Sequence, residues 1–280
     1  MSTLRLTVLV QNTVNRRQLR AEHGLSFHLQ TDRHTLLWDT GQSDLLCHNA
    51  LRLCLPLDAV DAVALSHGHY DHTGGLLAVC KWAPGAAFYL HPAAWTPRFA
   101  CPPDEPARSV GMSETSRQSL REAGAAVIET TGPTEIFEGI FVTGAIPRET
   151  EFEDVGGPFF LDRQGARPDP LTDDQALFFD TEPGLVVALG CAHAGVINTL
   201  RHVRRLVPDR PLHTVLGGMH LLHAREERLA ATMAALRELE VRQFAPAHCT
   251  GAAPTARLWR EFPGRCRPCA VGDQWVFPRR

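Results

Sequence analysis

Short runs of alternating or continuous apolar residues, bounded by turn residues, open this chain. They predict β-strands at Leu4–Val10, Leu25–Gln30, Thr35–Asp39, Ala59–Leu65 and Ala86–Leu90. A helical pattern at Gly75–Trp82 follows the fourth of these. From Pro92 to Pro170 the pattern loosens into Pro, Gly and charge, as in Cys101-Pro-Pro-Asp-Glu-Pro106. A helix at Glu114–Ala123 and strands near Ala126–Glu129 and Ile136–Val142 are still predicted there. Strands resume at Ala176–Asp180 and Leu185–Leu189, joined by the turn Glu182-Pro-Gly184. Helices are predicted at Val196–Leu206 and Arg225–Glu240, and strands at Leu212–Leu216 and Val241–Ala245. Leu229, Met233, Leu236 and Leu239 share one face of the Arg225–Glu240 helix, the spacing of a core stripe. Two strand–helix halves around an elaborated middle near 92–175 predict a single α/β domain over 1–280, with two stacked sheets flanked by helices. No linker-like tract isolates the middle segment.

Composition narrows the classes. The 280 residues are 44% hydrophobic and 21% charged, the make-up of a folded protein with a substantial core. A net charge of -3 gives no bulk argument for nucleic acid. Eight scattered cysteines without even spacing favour reduced thiols in the cytosol over a disulfide framework. Met1–Val10 lacks the apolar core of a signal peptide and carries Arg5. No run approaches the roughly 20 apolar residues of a membrane span. The expectation is a cytoplasmic protein with a small-molecule substrate, no membrane or nucleic-acid partner, and self-association left open.

One segment stands apart chemically. His67-Gly-His-Tyr-Asp-His72 places three imidazoles and a carboxylate directly after a predicted strand. Four such groups are costly to bury together unless something binds them. Neutral imidazole with carboxylate suits zinc, iron or manganese, and Gly68 relaxes the backbone where the chain must bend. Gly190-Cys-Ala-His193 follows the strand Leu185–Leu189, and His248 follows the strand ending near Ala245. Each polar group sits where a buried strand emerges, which is where rigid scaffolds present chemistry.

This pattern resembles the metallo-β-lactamase superfamily, whose hallmark is His-x-His-x-Asp-His at a strand end. The resemblance implies a four-layer αβ/βα sandwich of two mixed sheets flanked by helices over the whole chain. Trp38-Asp-Thr-Gly41 is similar to the family's early turn, implying that Asp39 supports the site from behind. Asn12-Thr-Val-Asn15, Glu22-His-Gly-Leu-Ser-Phe27, Gly190–Asn198, Gly217-Gly-Met-His220 and Ala247-His-Cys-Thr-Gly251 resemble a narrower branch. That branch includes dihydropterin–ribofuranosylaminobenzene-phosphate synthases and uncharacterised hydrolases, which implies a phosphorylated or pterin-like substrate. Carried over, His67, His69 and His193 would hold one divalent ion and Asp71, His72 and His248 a second. Zinc is the first expectation, with manganese or iron as alternatives. The departure is Gly190-Cys191 where many members have Gly-Asp, which leaves no obvious bridging carboxylate and two readings of Cys191, ligand or buried neighbour.

The reaction this predicts is hydrolysis of a phosphoester or related small molecule by a metal-bound hydroxide, the two ions lying about 3.5–4 Å apart. Asp71 would orient the nucleophile or take its proton, and His220 would protonate a leaving group or bind a phosphate oxygen. Glu22, His23 and Arg148 are further candidates for substrate or support. Arginine forks also make Arg98 candidate phosphate ligands along with His91, although a solvated surface role weighs more for each. His28, His34, His48, His202, His213 and His223 carry no pattern, and Cys266/Cys269 is a lone CxxC pair. Two other classes stay open. An iron redox enzyme of this fold would usually carry glutamate at the position of His69, and a non-catalytic metal-dependent binding module would fit the missing carboxylate.

Overall fold

The computed structural model describes residues 3–280, so the first two residues of the Met1–Val10 segment lie outside it. One mixed sheet runs Gln274–Pro278 (β16), Thr3–Val10 (β1), Ser26–Gln30 (β2), Thr35–Trp38 (β3), Ala62–Ala64 (β4), Ala87–Leu90 (β5) and Val127–Glu129 (β8). A second runs Gln243–Ala247 (β15), Leu212–Gly218 (β14), Gly184–Leu189 (β13), Ala176–Thr181 (β12), Ile140–Val142 (β10) and Thr134–Phe137 (β9). Both combine antiparallel meanders with parallel strands: β3, β4, β5 and β8 in the first, β13, β14 and β15 in the second. Antiparallel neighbours need only hairpins, whereas the parallel ones need crossovers, and those crossovers carry the helices.

The helices are Leu45–Arg52 (α1), Tyr70–Thr73 (α2), Leu76–Trp82 (α3), Glu114–Glu122 (α4), Val196–Leu206 (α5), Glu226–Glu238 (α6) and Ala252–Glu261 (α7). Leu6, Phe27, Trp38, Leu177, Phe179 and Val186 fill the space between the sheets. Alternate residues face the helices. Leu37, Val63 and Phe88 pack under α1, α3 and α4, while Val187, Leu189 and Val215 pack under α5, α6 and α7. The result is the αβ/βα sandwich, and continuous apolar strands such as Leu185–Leu189 are the signature of sheets buried on both faces. No helix among the described residues is long and apolar enough to cross a membrane.

The middle segment is not a single insertion. It gives β8 to one sheet and β9 and β10 to the other, then builds a small sheet of Phe159–Phe160 (β11), Phe99–Ala100 (β6) and Arg108–Ser109 (β7). The predicted strand Ile136–Val142 is two strands, β9 and β10. The chain reverses at Glu138-Gly139, where Gly139 adopts φ 74°, a conformation open to glycine. The strand expected at Thr35–Asp39 stops at Trp38, because Asp39 turns out of the sheet with φ 58°. That expected at Ala59–Leu65 shortens to β4, Leu57–Ala59 forming a helical turn.

Candidate metal centre

Every candidate ligand leaves the end of a strand. β4 delivers Ser66 and His67, α2 then carries Asp71 and His72, β13 delivers Cys191 and His193, β14 delivers His220, and β15 delivers His248. Gly68 is required for closeness more than for bending. A Cβ there would lie 2.3 Å from the Ala94 carbonyl oxygen, and the Gly68 N–H donates to Asp173 Oδ2 at 2.7 Å.

The six predicted ligands converge in two clusters. The ligand atoms of His67, His69 and His193 lie within 4.8 Å of one another, with His67 Nε2 and His69 Nδ1 3.0 Å apart. Asp71 Oδ2 lies 3.2 Å from His248 Nε2 and 3.7 Å from His72 Nε2. His23 joins this second cluster, its Nε2 3.1 Å from Asp71 Oδ2 and its ring against that of His248. Cys191 Sγ lies 3.2 Å from His72 Nε2.

Outer hydrogen bonds set the tautomers. The His72 Nδ1–H donates to Asp39 Oδ2 at 2.7 Å, and Asp39 also accepts from the Ser66 N–H and hydroxyl at 2.7 Å each. With its proton given to Asp39, Ser66 Oγ accepts from His67 Nδ1 at 2.9 Å. The Nδ1–H of His193 donates to Val155 O at 2.8 Å, and that of His248 to Asn12 Oδ1 at 2.9 Å. In four rings, those of His67, His72, His193 and His248, Nδ1 is thus the outward hydrogen-bonding atom and Nε2 faces inward. The Nε2 atoms of His69 and His193 are buried and make no hydrogen bond among the described residues, and that of His248, also buried, faces the Asp71 carboxylate. Such orphaned acceptors are costly unless something binds them, so the donor set fits divalent metal ions.

The electrostatics agree. Burial, and then the neighbouring imidazoles, hold His67 and His193 well below the usual histidine range; burial does the same for His69. These rings stay neutral and keep their lone pairs. Burial works against ionising Asp71, but His72, His23 and His248 around it hold its carboxyl well below the usual range. His72 is the exception: burial opposes charge on it, yet Asp39 and Asp71 raise it to about 9, so an ion bound there would have to displace the Nε2 proton.

Other candidates sort by what they touch. Glu22 is outside the cavity: its carboxylate accepts from the Gln42 and Ser43 N–H groups and braces the turn after Asp39. Arg148 does not face a ligand either. Its guanidinium donates to the carbonyls of His193 at 2.6 Å and Pro170 at 2.7 Å, supporting the ligand loop from outside. Arg98 is neither solvated nor a phosphate fork, because it is buried and clamped by Asp169 and Asp173. His91 Nδ1 accepts from the Ala93 N–H and caps a helical turn. His220 gives its Nε2–H to the Gly156 carbonyl at 3.0 Å, leaving Nδ1 buried and without a hydrogen bond among the described residues.

A cavity of about 520 Å³ opens over the clusters, lined among others by His23, Tyr70, Asp71, Arg108, Phe159 and His220. His223, which showed no pattern, also lines it. The small sheet β6–β7–β11 forms one wall, so the elaborated middle shapes the entrance. Sequence reasoning gave no role to Ser66, Asp173 and Asp174, and held Asn12 only as part of the branch-like segment Asn12-Thr-Val-Asn15. Asp174 accepts from the Ala194 N–H at 2.8 Å beside His193. For the two aspartates the signal was their adjacency as an acidic pair, Asp173-Asp174, in an otherwise loop-like stretch.

A model of the metallo-beta-lactamase superfamily matches residues 19–223. The chain belongs to that superfamily. Within it, a 7,8-dihydropterin-6-methyl-4-(beta-D-ribofuranosyl)-aminobenzene-5'-phosphate synthase of Methanocaldococcus jannaschii is 27% identical over 252 residues, 86% of this chain and 85% of its own length. A second, uncharacterized protein of that organism is 29% identical over 256 residues, 90% and 93% of the two chains. The solved structure of Tm1679, described as a metal-dependent hydrolase of the beta-lactamase superfamily, matches with a TM-score of 0.83. It shares 30% identity and covers 97% of this chain and 98% of its own.

Proposed function

We propose that this chain is a metal-dependent hydrolase of a small phosphoester, holding two zinc ions or, in their place, manganese or iron. The observation that carries the reading is the meeting of His67, His69 and His193 beside Asp71, His72 and His248 under one open cavity, with buried lone pairs facing inward. Tm1679 supports metal-dependent hydrolysis as the reaction class. The phosphate named in the synthase relative supports a phosphorylated substrate, and Arg108 at the cavity wall offers it a cation.

When bound, divalent ions supply Lewis acidity and lower the pKa of a coordinated water toward about 7. The side chains do the rest. Neutral rings at His67, His69 and His193 would offer lone pairs, while Asn12 and Asp39 hold the Nδ1 atoms of His248 and His72 so that Nε2 faces inward. Asp71 is ionised and accepts protons at Oδ2, with His23 beside it as the exposed link to solvent. His220 keeps its Nε2–H on the Gly156 carbonyl, and in its cationic form the ring would present Nδ1–H to a leaving group.

Protein loaded separately with zinc, manganese or iron, assayed on phosphodiesters, cyclic nucleotides, lactones and thioesters, tests this. Phosphoester turnover should fall about 100-fold or more in both His67→Ala and Asp71→Ala. Unchanged turnover in those variants would refute the site. Turnover confined to lactones or thioesters would keep the site and reject the substrate class.

A further inference from the structure

Cys191 stands where the two ligand clusters meet. Besides His72 Nε2 at 3.2 Å, its Sγ groups within 4.8 Å with ligand atoms of His67, of His193 and His220, and of His248 and Cys249. It therefore neighbours ligands of both clusters, and it is buried. The surrounding backbone makes room for sulfur. A Cβ on Gly218 would lie 2.6 Å from Cys249 Sγ and 3.4 Å from Cys191 Cα, so any side chain there would push into the pair.

No nearby carboxylate groups with the ligand atoms of both clusters. Asp71 belongs to the second cluster, Asp39 is spent on Ser66 and His72, and Asp173 on Arg98 and Gly68. Asp174 gives Oδ2 to the Ala194 N–H, and its unpaired Oδ1 joins none of the ligand groups. Cys249 is the other sulfur present, and its thiol is turned toward the Cys191 carbonyl oxygen at 3.6 Å. A soft, polarisable donor at the junction, with imidazoles on either side, is the ligand chemistry of zinc and cobalt and a poor match for magnesium, calcium or manganese.

We propose that the Cys191 thiolate is the protein ligand shared by the two metal positions, and that it makes the centre selective for thiophilic divalent ions. This rests on the metal-dependent reading above. Binding releases the thiol proton to solvent, one per chain, as the sulfur–metal bond forms. Cys249 is a neighbour, not a ligand.

Metal-free protein titrated with cobalt(II) separates the possibilities by absorption alone. Visible bands report capture of the ion, and a near-ultraviolet thiolate-to-cobalt charge-transfer band reports sulfur ligation. Wild type and Cys249→Ser should show both. Cys191→Ser and Cys191→Asp should keep visible bands and lose the charge-transfer band, and the zinc-over-manganese preference of Cys191→Asp should fall at least about tenfold. X-ray absorption of zinc-loaded wild type should show a sulfur neighbour at about 2.3 Å, a measurement that needs no variant to fold. A charge-transfer band that survives in Cys191→Ser or vanishes in Cys249→Ser overturns the assignment, as does zinc bound without sulfur. Wild type that takes up no cobalt and no zinc fails the metal-centre reading itself, and this inference with it.

Discussion

At the scale of single residues, the site depends on groups that touch no substrate. Asp39 accepts three hydrogen bonds and so fixes both Ser66 and His72. An amide there would turn an N–H toward groups that already donate. His72 would then have to flip its tautomer and point Nε2–H inward. Asp39→Asn should therefore weaken zinc binding about 10- to 100-fold with the fold intact. Competition against a chromophoric chelator measures this, and an unchanged affinity would show that His72 needs no such support. The motif His67–His72 was legible because its donors are adjacent in sequence. Ser66 was not, because a serine at a strand end has many ordinary uses.

Among elements, strand and helix types followed the apolar pattern, and the differences have local causes. The helix α6 keeps Met233 and Leu236 buried as the stripe predicts, with Leu229 and Leu239 at its margin. The strand β16 escaped notice because Trp275 and Phe277 are its only buried apolar pair, in a short polar terminus, and it needs β1 to form. The helices α1 and α7 are short and carry Asn49, Arg257 and other polar residues that blur their period. His28 on β2 is buried on the face of Leu37, and burial pushes it down to about 4. A histidine of lowered pKa takes up its proton more readily in the unfolded chain, at about 6.5, so stability is full at neutral pH and drains as pH falls from about 6.5 toward 4. Between pH 7.5 and 5 this one side chain should cost about 2 kcal/mol, which His28→Leu should abolish. Urea unfolding of the two metal-free proteins at both pH values reads the difference, and parallel losses would exclude His28 as the cause.

At the scale of the whole molecule, one buried ion cluster ties the elaborated middle to the ligand loop. Arg98, before β6, donates to Asp169 Oδ2 at 2.7 Å and to both oxygens of Asp173 at 2.7 and 2.6 Å. The Asp173 carboxylate also holds the Gly68 N–H between two metal-cluster histidines. Removing the guanidinium strands two buried carboxylates, so Arg98→Ala should cost about 3–5 kcal/mol of stability. It should also weaken metal binding through the Gly68 loop. Equilibrium unfolding checks the first effect, and a loss under about 1 kcal/mol would show the cluster to be solvated in practice.

The sequence by itself determined the alternation of strands and helices, the two-sided burial of the central strands, and the local metal motif. Each is encoded in periodicity or in neighbours along the chain, where side-chain direction follows from backbone geometry alone. Tertiary structure decided the partners: Asn12 with His248, His23 with Asp71, Arg98 with Asp173, and Cys191 between the clusters. Such pairs depend on sheet register and on how two loops pass each other. A pattern along one strand specifies which face is buried but not which distant residue will meet it there.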